Sequence, residues 1–333
     1  MGNRKIPAKL LKQEVIVFIV VIALLGFFCV ASPDFRKYTT ILTIMDYSYY
    51  IVLMAIGVSF PLITGGVDLS IGTGLVCYSL AGGYLIVHKG WPTGAAMVVS
   101  LLFGIIIGLI NGILIGVMGL PPFLATLCTC MITRGLGSIC SNNFGISWPT
   151  TGQPGSWFRS IFKLTIGDTK IPLGFVWVLL LAILMHFVLN HTKIGRYTIA
   201  IGSNKEAAIL SGINVKFYHI MAYVISGFFA ALASIAYSAV FATVLPGTGA
   251  GFELEAIGGA IIGGVSATGG AGSIIGTLIG VFVICLLKTG LPFIGLQANW
   301  QQIVTGVVLI GSVMVDIIKK RKQKMMCTAK QFI

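Results

Sequence analysis

Long apolar runs follow one another along this chain, and each is close to the length that crosses a bilayer. A spanning helix takes about 20 apolar residues. Ten runs fit: 15–32, 48–64, 69–87, 94–118, 121–140, 172–190, 217–243, 255–271, 273–290 and 300–318. Runs three, eight and nine are the shortest or the richest in Gly. Only 9% of the 333 residues are charged, against about 25% in a soluble domain. Such a chain cannot clothe a water-facing surface of ordinary size. It reads as an all-α integral membrane protein of one domain, 1–333, with no cleavable signal peptide, since the first run is long enough to span and lacks a small-residue cleavage site.

An even number of crossings puts both termini on one face. The basic residues agree with that count. Arg4, Lys5, Lys9 and Lys12 lie in the tail 1–14, Lys193, Arg196, Lys205 and Lys216 in the loop 191–216, and Lys319, Lys320, Arg321, Lys322, Lys324 and Lys330 in the tail 319–333. Ten spans place all of them on one side, the cytoplasm by the positive-inside rule. The net charge of +13 is therefore topological, and no nucleic acid is implied. The seven Cys mostly sit in apolar runs and read as small buried hydrophobes, with no metal site. On the opposite side the loop 141–171, rich in Gly, Pro, Trp and Ser, reads as an ordered docking surface.

The stretch "LITGGVDLSIGTGL", 62–75, interrupts an apolar region with a carboxylate. Gly65 and Gly66 permit a sharp break. Asp68, just ahead of Ser70, can cap the free N–H groups that open the next helix and face the positive end of its dipole. A broken helix is expected, with irregular backbone tolerated because it is buried in protein or lines a cavity. A second glycine-rich break is expected at "GGVSATGGAGS", 263–273, beginning with Gly263 and Gly264.

Two blocks share a layout. The first, 48–140, holds Gly104, Gly108, Gly112 and Gly116 at every fourth position, and the second, 217–318, holds Gly272, Gly276 and Gly280. Each ladder falls in the third helix of a four-helix block, where it leaves a groove for a close neighbour. The first block starts inward and the second outward, which implies two inverted repeats with a pathway between them.

Ionisable residues inside spans are few. Asp316 reads as an end-cap charge beside the basic tail and Lys288 as a snorkelling side chain. Arg134 lies deep enough to need a partner or a polar cavity. Asn111, Phe123, Thr126 and Ser70, with Arg134, are candidates to line a path. The absence of a ladder of charges favours a neutral, hydroxyl-rich solute. No P-loop, zinc-type His pair or nucleophile elbow occurs, so no catalytic role and no cofactor are expected on this chain. The loop 193–219 carries "NKEAAILSG", with Asn204 as N-cap and Gly212 as stop. Its short helix should expose Ala207 and Ala208 and offer Ile209 and Leu210 to a partner's groove.

Several stretches, in order along most of the chain, resemble the permease subunit of bacterial ABC importers of the ribose/galactose/xylose type: "LITGGVDLSIG", "PPFLATLCTCMITRGL", "AIGSNKEAAILSGINV", "ELEAIGGAIIGGVSATGGAGSIIGTLIG" and "WQQIVTGVVLI". "LCTCM" and Ile262 depart from the family pattern and leave the solute open. The resemblance implies two permease chains, alike or paralogous, in the inner membrane, a periplasmic solute-binding protein, and a cytoplasmic ATPase, in some members a tandem fusion, that carries ATP and Mg. It also implies that Asn204, Lys205, Glu206, Ala207, Ala208, Ser211 and Gly212 form the coupling helix, and that a monosaccharide crosses by alternating access. An ion-coupled transporter built on Asp68 and a non-transporting scaffold are the alternatives.

Overall fold

The computed structural model describes residues 8–331 apart from Asp168, and for 8–12, Ala298 and 319–331 it describes the backbone alone. Arg4 and Lys5 thus lie outside the described residues, as do the side chains of Lys9, Lys12 and the basic cluster after Ile318. The helices are α1 (Ala8–Ala31), α2 (Tyr38–Ile63), α3 (Ile71–Lys89), α4 (Thr93–Gly116), α5 (Pro122–Cys140), α6 (Trp157–Phe162), α7 (Gly174–His191), α8 (Lys193–Ser203), α9 (Lys205–Leu210), α10 (Val215–Val240), α11 (Phe252–Ile262), α12 (Ile274–Phe293) and α13 (Ala298–Gln331). Among the described residues, nine helices are long and apolar enough to cross a membrane.

The eighth apolar run differs from its expected length. Helix α11 has 11 residues, about 16 Å at 1.5 Å per residue and so about half of a 30 Å hydrocarbon core. Irregular chain then continues to Ser273. Gly264 bends the backbone at φ +103, and Gly263 is held against Gly276 of α12 too closely for a side chain.

The packing repeats itself. Helix α4 lies on α10 as α12 lies on α2, α3 touches α10 as α11 touches α2, and α5 backs α3 as α13 backs α11. The leading helices α2 and α10 run antiparallel. Gly57 meets Ser226 and Phe229, while farther back along α2 the Tyr50 ring meets Tyr237 farther along α10, at 5.2 Å. Helices α2–α5 and α10–α13 are therefore two blocks of opposite orientation.

The glycine ladders explain the close approach. A Cβ on Gly104, Gly108, Gly112 or Gly116 would strike α10, at Gly227 and Ala231, Tyr223, Ile220 and Lys216 respectively. In the second block, Gly276 and Gly280 meet Gly263 and Gly259 across the α11–α12 contact. Lipid tails are as apolar as Leu, so close van der Waals packing of this kind holds membrane helices together where water-driven burial cannot.

The loop 141–171 is ordered by specific contacts. Strand β1 (Ile146–Ser147) pairs with β4 (Thr243–Val244), and β2 (Leu164–Ile166) forms a hairpin with β3 (Thr169–Ile171). Trp148 is buried over Gly82 and Gly83 of α3, and its Nε1 donates to the Ser79 carbonyl at 3.0 Å. Arg159 donates to the Pro149 and Ala239 carbonyls at 2.7 and 2.8 Å.

Replacing Gly108 with Val should destabilise the purified protein by about 1–3 kcal/mol through overpacking, seen as a lower thermal-unfolding midpoint in detergent. A parental midpoint would show that α4 and α10 do not need this contact.

Candidate functional site

Helix α2 ends in a tightened turn. The Gly65 N–H donates to Leu62 O and the Gly66 N–H to Pro61 O, both at 2.9 Å, with Gly65 at φ +86, where a side chain would be strained. The chain then runs irregularly to Ile71. In a membrane interior its polar groups must find partners within the protein. Val67 O accepts from Tyr223 Oη of α10 and from Thr126 Oγ1 of α5, both at 3.3 Å.

Asp68 is 1% exposed and both its oxygens accept hydrogen bonds. Its Oδ1 accepts from the Ser70 N–H at 3.0 Å and from Ser70 Oγ at 2.6 Å. Its Oδ2 accepts from Ser226 Oγ of α10 at 2.7 Å. Ser70 Oγ in turn accepts from Asn111 Nδ2 of α4 at 3.0 Å, and Asn111 Oδ1 accepts from Thr129 Oγ1 of α5 at 2.8 Å. Donors therefore point along one line, Thr129 to Asn111 to Ser70 to Asp68, and the carboxylate closes it. No side-chain polar atom in this set lacks a partner.

This geometry narrows the capping role expected for Asp68. It takes a single backbone N–H, that of Ser70, one residue short of α3, because its second oxygen is turned toward α10. Asp68 is a tie between α10 and the break more than a helix cap.

The second break meets the first. The Gly270 N–H donates to Ile63 O at the end of α2, 2.8 Å away. Helix α8 is wedged beside both, with Gly202 against the Ile63 carbonyl and Ser203 Oγ donating to Gly270 O at 3.3 Å. Asp316 of α13 departs from its expected end-cap role. Its Oδ2 accepts from Ser266 Oγ at 2.9 Å and from the Ala267 N–H at 3.2 Å, because α13 brings it level with the break. Ser273 also donates to Glu14 of α1.

Helix α9 follows α8 directly. Asn204 Oδ1 accepts from the Ala207 N–H at 3.0 Å, and Gly212 ends the turn at φ +77. Lys205, Glu206, Ala207 and Ser211 are exposed, and Leu210 is 89% exposed. Ala208, expected on the exposed face, is instead buried with Ile201 and Val215. On so short a helix one side must seat on α8 and α10, and Ala208 lies on that side.

Asn111, Thr126 and Ser70 are buried, whereas Phe123 is exposed. Arg134 is exposed on this chain and borders the small cavity between α3 and α5. Helix α5 buries a stripe of Thr126, Thr129, Thr133 and Gly137, and Arg134 falls outside it. Lys288 does not snorkel. Its Nζ lies 2.8 Å from Glu255 Oε1 and over the Tyr47 and Phe252 rings. The segment Gly66-Val67-Asp68-Leu69-Ser70 returns as Gly251-Phe252-Glu253-Leu254-Glu255, which aligns Glu253 with Asp68 and Glu255, the partner of Lys288, with Ser70. The first copy precedes α3, whereas the second forms the first turn of α11.

Asp68→Ala leaves two buried hydroxyls and one N–H without their acceptor, at about 1–3 kcal/mol for each unsatisfied group. Its unfolding midpoint should drop well below that of Asp68→Asn, which keeps the shape and one acceptor oxygen. Equal midpoints for the two variants would deny the tie.

Comparison with known proteins places this architecture. The family model described as "Branched-chain amino acid transport system / permease component" matches residues 40–313. The ribose import permease protein RbsC of Escherichia coli (strain K12) is 32% identical over 320 residues, 92% of this chain and 93% of that protein. The galactose/methyl galactoside import permease protein MglC of Haemophilus influenzae (strain ATCC 51907 / DSM 11121 / KW20 / Rd) is 30% identical over 95% of this chain and 97% of its own length. The fructose import permease protein FruG of Bifidobacterium longum (strain NCC 2705) is 31% identical over 78% and 77%. With both breaks, α9 and most of both blocks inside the matched region, the chain belongs to the permease-component family of ABC importers.

Proposed function

We propose that this chain is the transmembrane subunit through which an ATP-driven importer moves a monosaccharide, a ribose-like pentose or a hexose, into the cytoplasm. The similarity to ribose, galactose and fructose import permeases across both blocks carries this reading. A periplasmic binding protein hands the sugar to the face bearing the loop 141–171. A second permease chain, a copy or a paralogue, completes the path. ATP and Mg sit on a cytoplasmic ATPase, separate or tandem-fused, with both permease termini on its side of the inner membrane.

Helix α9 is the seat for that ATPase. Leu210 and Ile209 are 89% and 54% exposed on a rigidly capped helix, and apolar anchors of this kind fill a partner's groove. The route from the seat to the pathway is short. Motion of α9 carries α8, whose Gly202 and Ser203 bear on the Ile63 carbonyl and Gly270. Both breaks are thus displaced together, and the buried line from Asp68 to Thr129 passes the movement to α4, α5 and α10. Gly65, Gly66, Asp68, Ser70, Gly263 and Gly264 act as the gating segment in this scheme. Both Asp68 oxygens already accept hydrogen bonds from hydroxyl donors, which weighs against the ion-driven alternative.

Leu210→Asp and Ala207→Trp should insert and assemble but lose ATP-dependent uptake by about tenfold or more, the effect of removing an interface anchor. Uptake by reconstituted proteoliposomes, with ATPase activity measured alongside, checks this. Parental uptake in both variants would remove α9 from the coupling role.

A further inference from the structure

The two blocks share a plan but not a groove. Between α3 and α5 of the first block the cavity is about 10 Å³. Thr73 Oγ1 and Thr133 Oγ1 close it with a hydrogen bond at 2.8 Å. The matching space of the second block, between α11 and α13 and floored by α12, is open. It measures about 620 Å³, inside the range of about 300–1,000 Å³ found for small-molecule sites.

Its lining sets polar side chains among apolar ones. Gln301, Gln302 and Thr305 of α13 line the cleft, and their side chains make no hydrogen bond among the described residues. Gln302 is exposed and Gln301 and Thr305 are half-buried, so their amide and hydroxyl groups stand free to hydrogen-bond a molecule that enters the cleft. Facing them, Glu255 and Lys288 are fixed as an ion pair, and Lys288 is further held over Tyr47 and Phe252. The pair neutralises itself, so a charged solute gains no net attraction and would have to compete with the bound partner. Carboxamides and a hydroxyl offer both donors and acceptors, and Phe252 adds an apolar ring face. That set suits an uncharged molecule carrying many hydroxyls on a compact ring.

We propose that the cleft between α11, α12 and α13 receives a neutral polyhydroxylated solute of monosaccharide size from the outer face, as the first station of the path on this chain. This rests on the importer reading above and adds a location to it. The cleft lies at the end of the bundle away from α9, since it is built from the start of α11, the end of α12 and the first turns of α13.

Two experiments test it on the full transporter. Thr305→Cys should react in intact cells with a membrane-impermeant thiosulfonate. Val307→Cys, exposed at 64% but outside the cleft, should stay at the background of the chain's own seven cysteines. No reaction at Thr305→Cys, or reaction only in broken membranes, overturns the proposal. In proteoliposomes holding the complete complex, radiolabelled D-ribose, D-galactose and D-fructose serve as probes. Gly306→Phe, which fills the cleft, should assemble in parental yield and lower uptake of whichever sugar the parent carries by about tenfold or more, whereas Val307→Phe should not. Normal uptake by Gly306→Phe sinks the cleft and leaves the importer reading intact. If the parent complex carries none of these three, the remaining aldopentoses and hexoses are assayed in turn, and only a parent that carries none of them defeats the importer reading and the cleft proposal with it.

Discussion

A membrane interior offers no water to an unpaired peptide group, and the two interrupted segments of this protein are arranged around that fact. The two breaks occur where helices would ordinarily continue, and their backbone groups are answered by neighbours. The Ile63 carbonyl takes the Gly270 N–H, Val67 O takes Tyr223 and Thr126, and Asp316 takes the Ala267 N–H. Each of these partners comes from another helix. The breaks therefore cannot form without the bundle, and the bundle cannot shift without disturbing the breaks.

The same constraint explains why a carboxylate is tolerated in so apolar a chain. Asp68 is surrounded by hydroxyl donors from its own break and from α10, and the line continues through Asn111 to α5. Removing one partner of such a network is costly, because the remaining groups have nowhere else to turn. A network of this type favours a few discrete arrangements over continuous deformation.

Much of this was legible in the residues. Gly65, Gly66 and Asp68 marked the first break, Asn204 and Gly212 bounded α9, and the spacing of Gly104 to Gly116 announced a close helix contact. Other features were not legible because they depend on which face of a helix turns where. Ala208 was buried by the seat that α9 needs. Lys288 and Asp316 looked like surface charges near helix ends, yet each found a partner on a different helix. The half-length α11 was hidden because its apolar composition runs on past Ile262 into a glycine-rich segment that is not helical.

The amino-acid sequence alone determined that this chain crosses a membrane many times, that its helices are interrupted at glycines, and that its two blocks run in opposite senses. Those properties follow from local hydropathy, from backbone freedom at Gly and from the placement of Lys and Arg, none of which needs a distant neighbour. Only the tertiary structure decided that the two breaks touch, that α8 bears on both, and that one groove closes while its counterpart stays open. These depend on contacts between residues such as Ile63 and Gly270 or Thr73 and Thr133, far apart in sequence. No local preference encodes those contacts, and they exist only once the helices have packed.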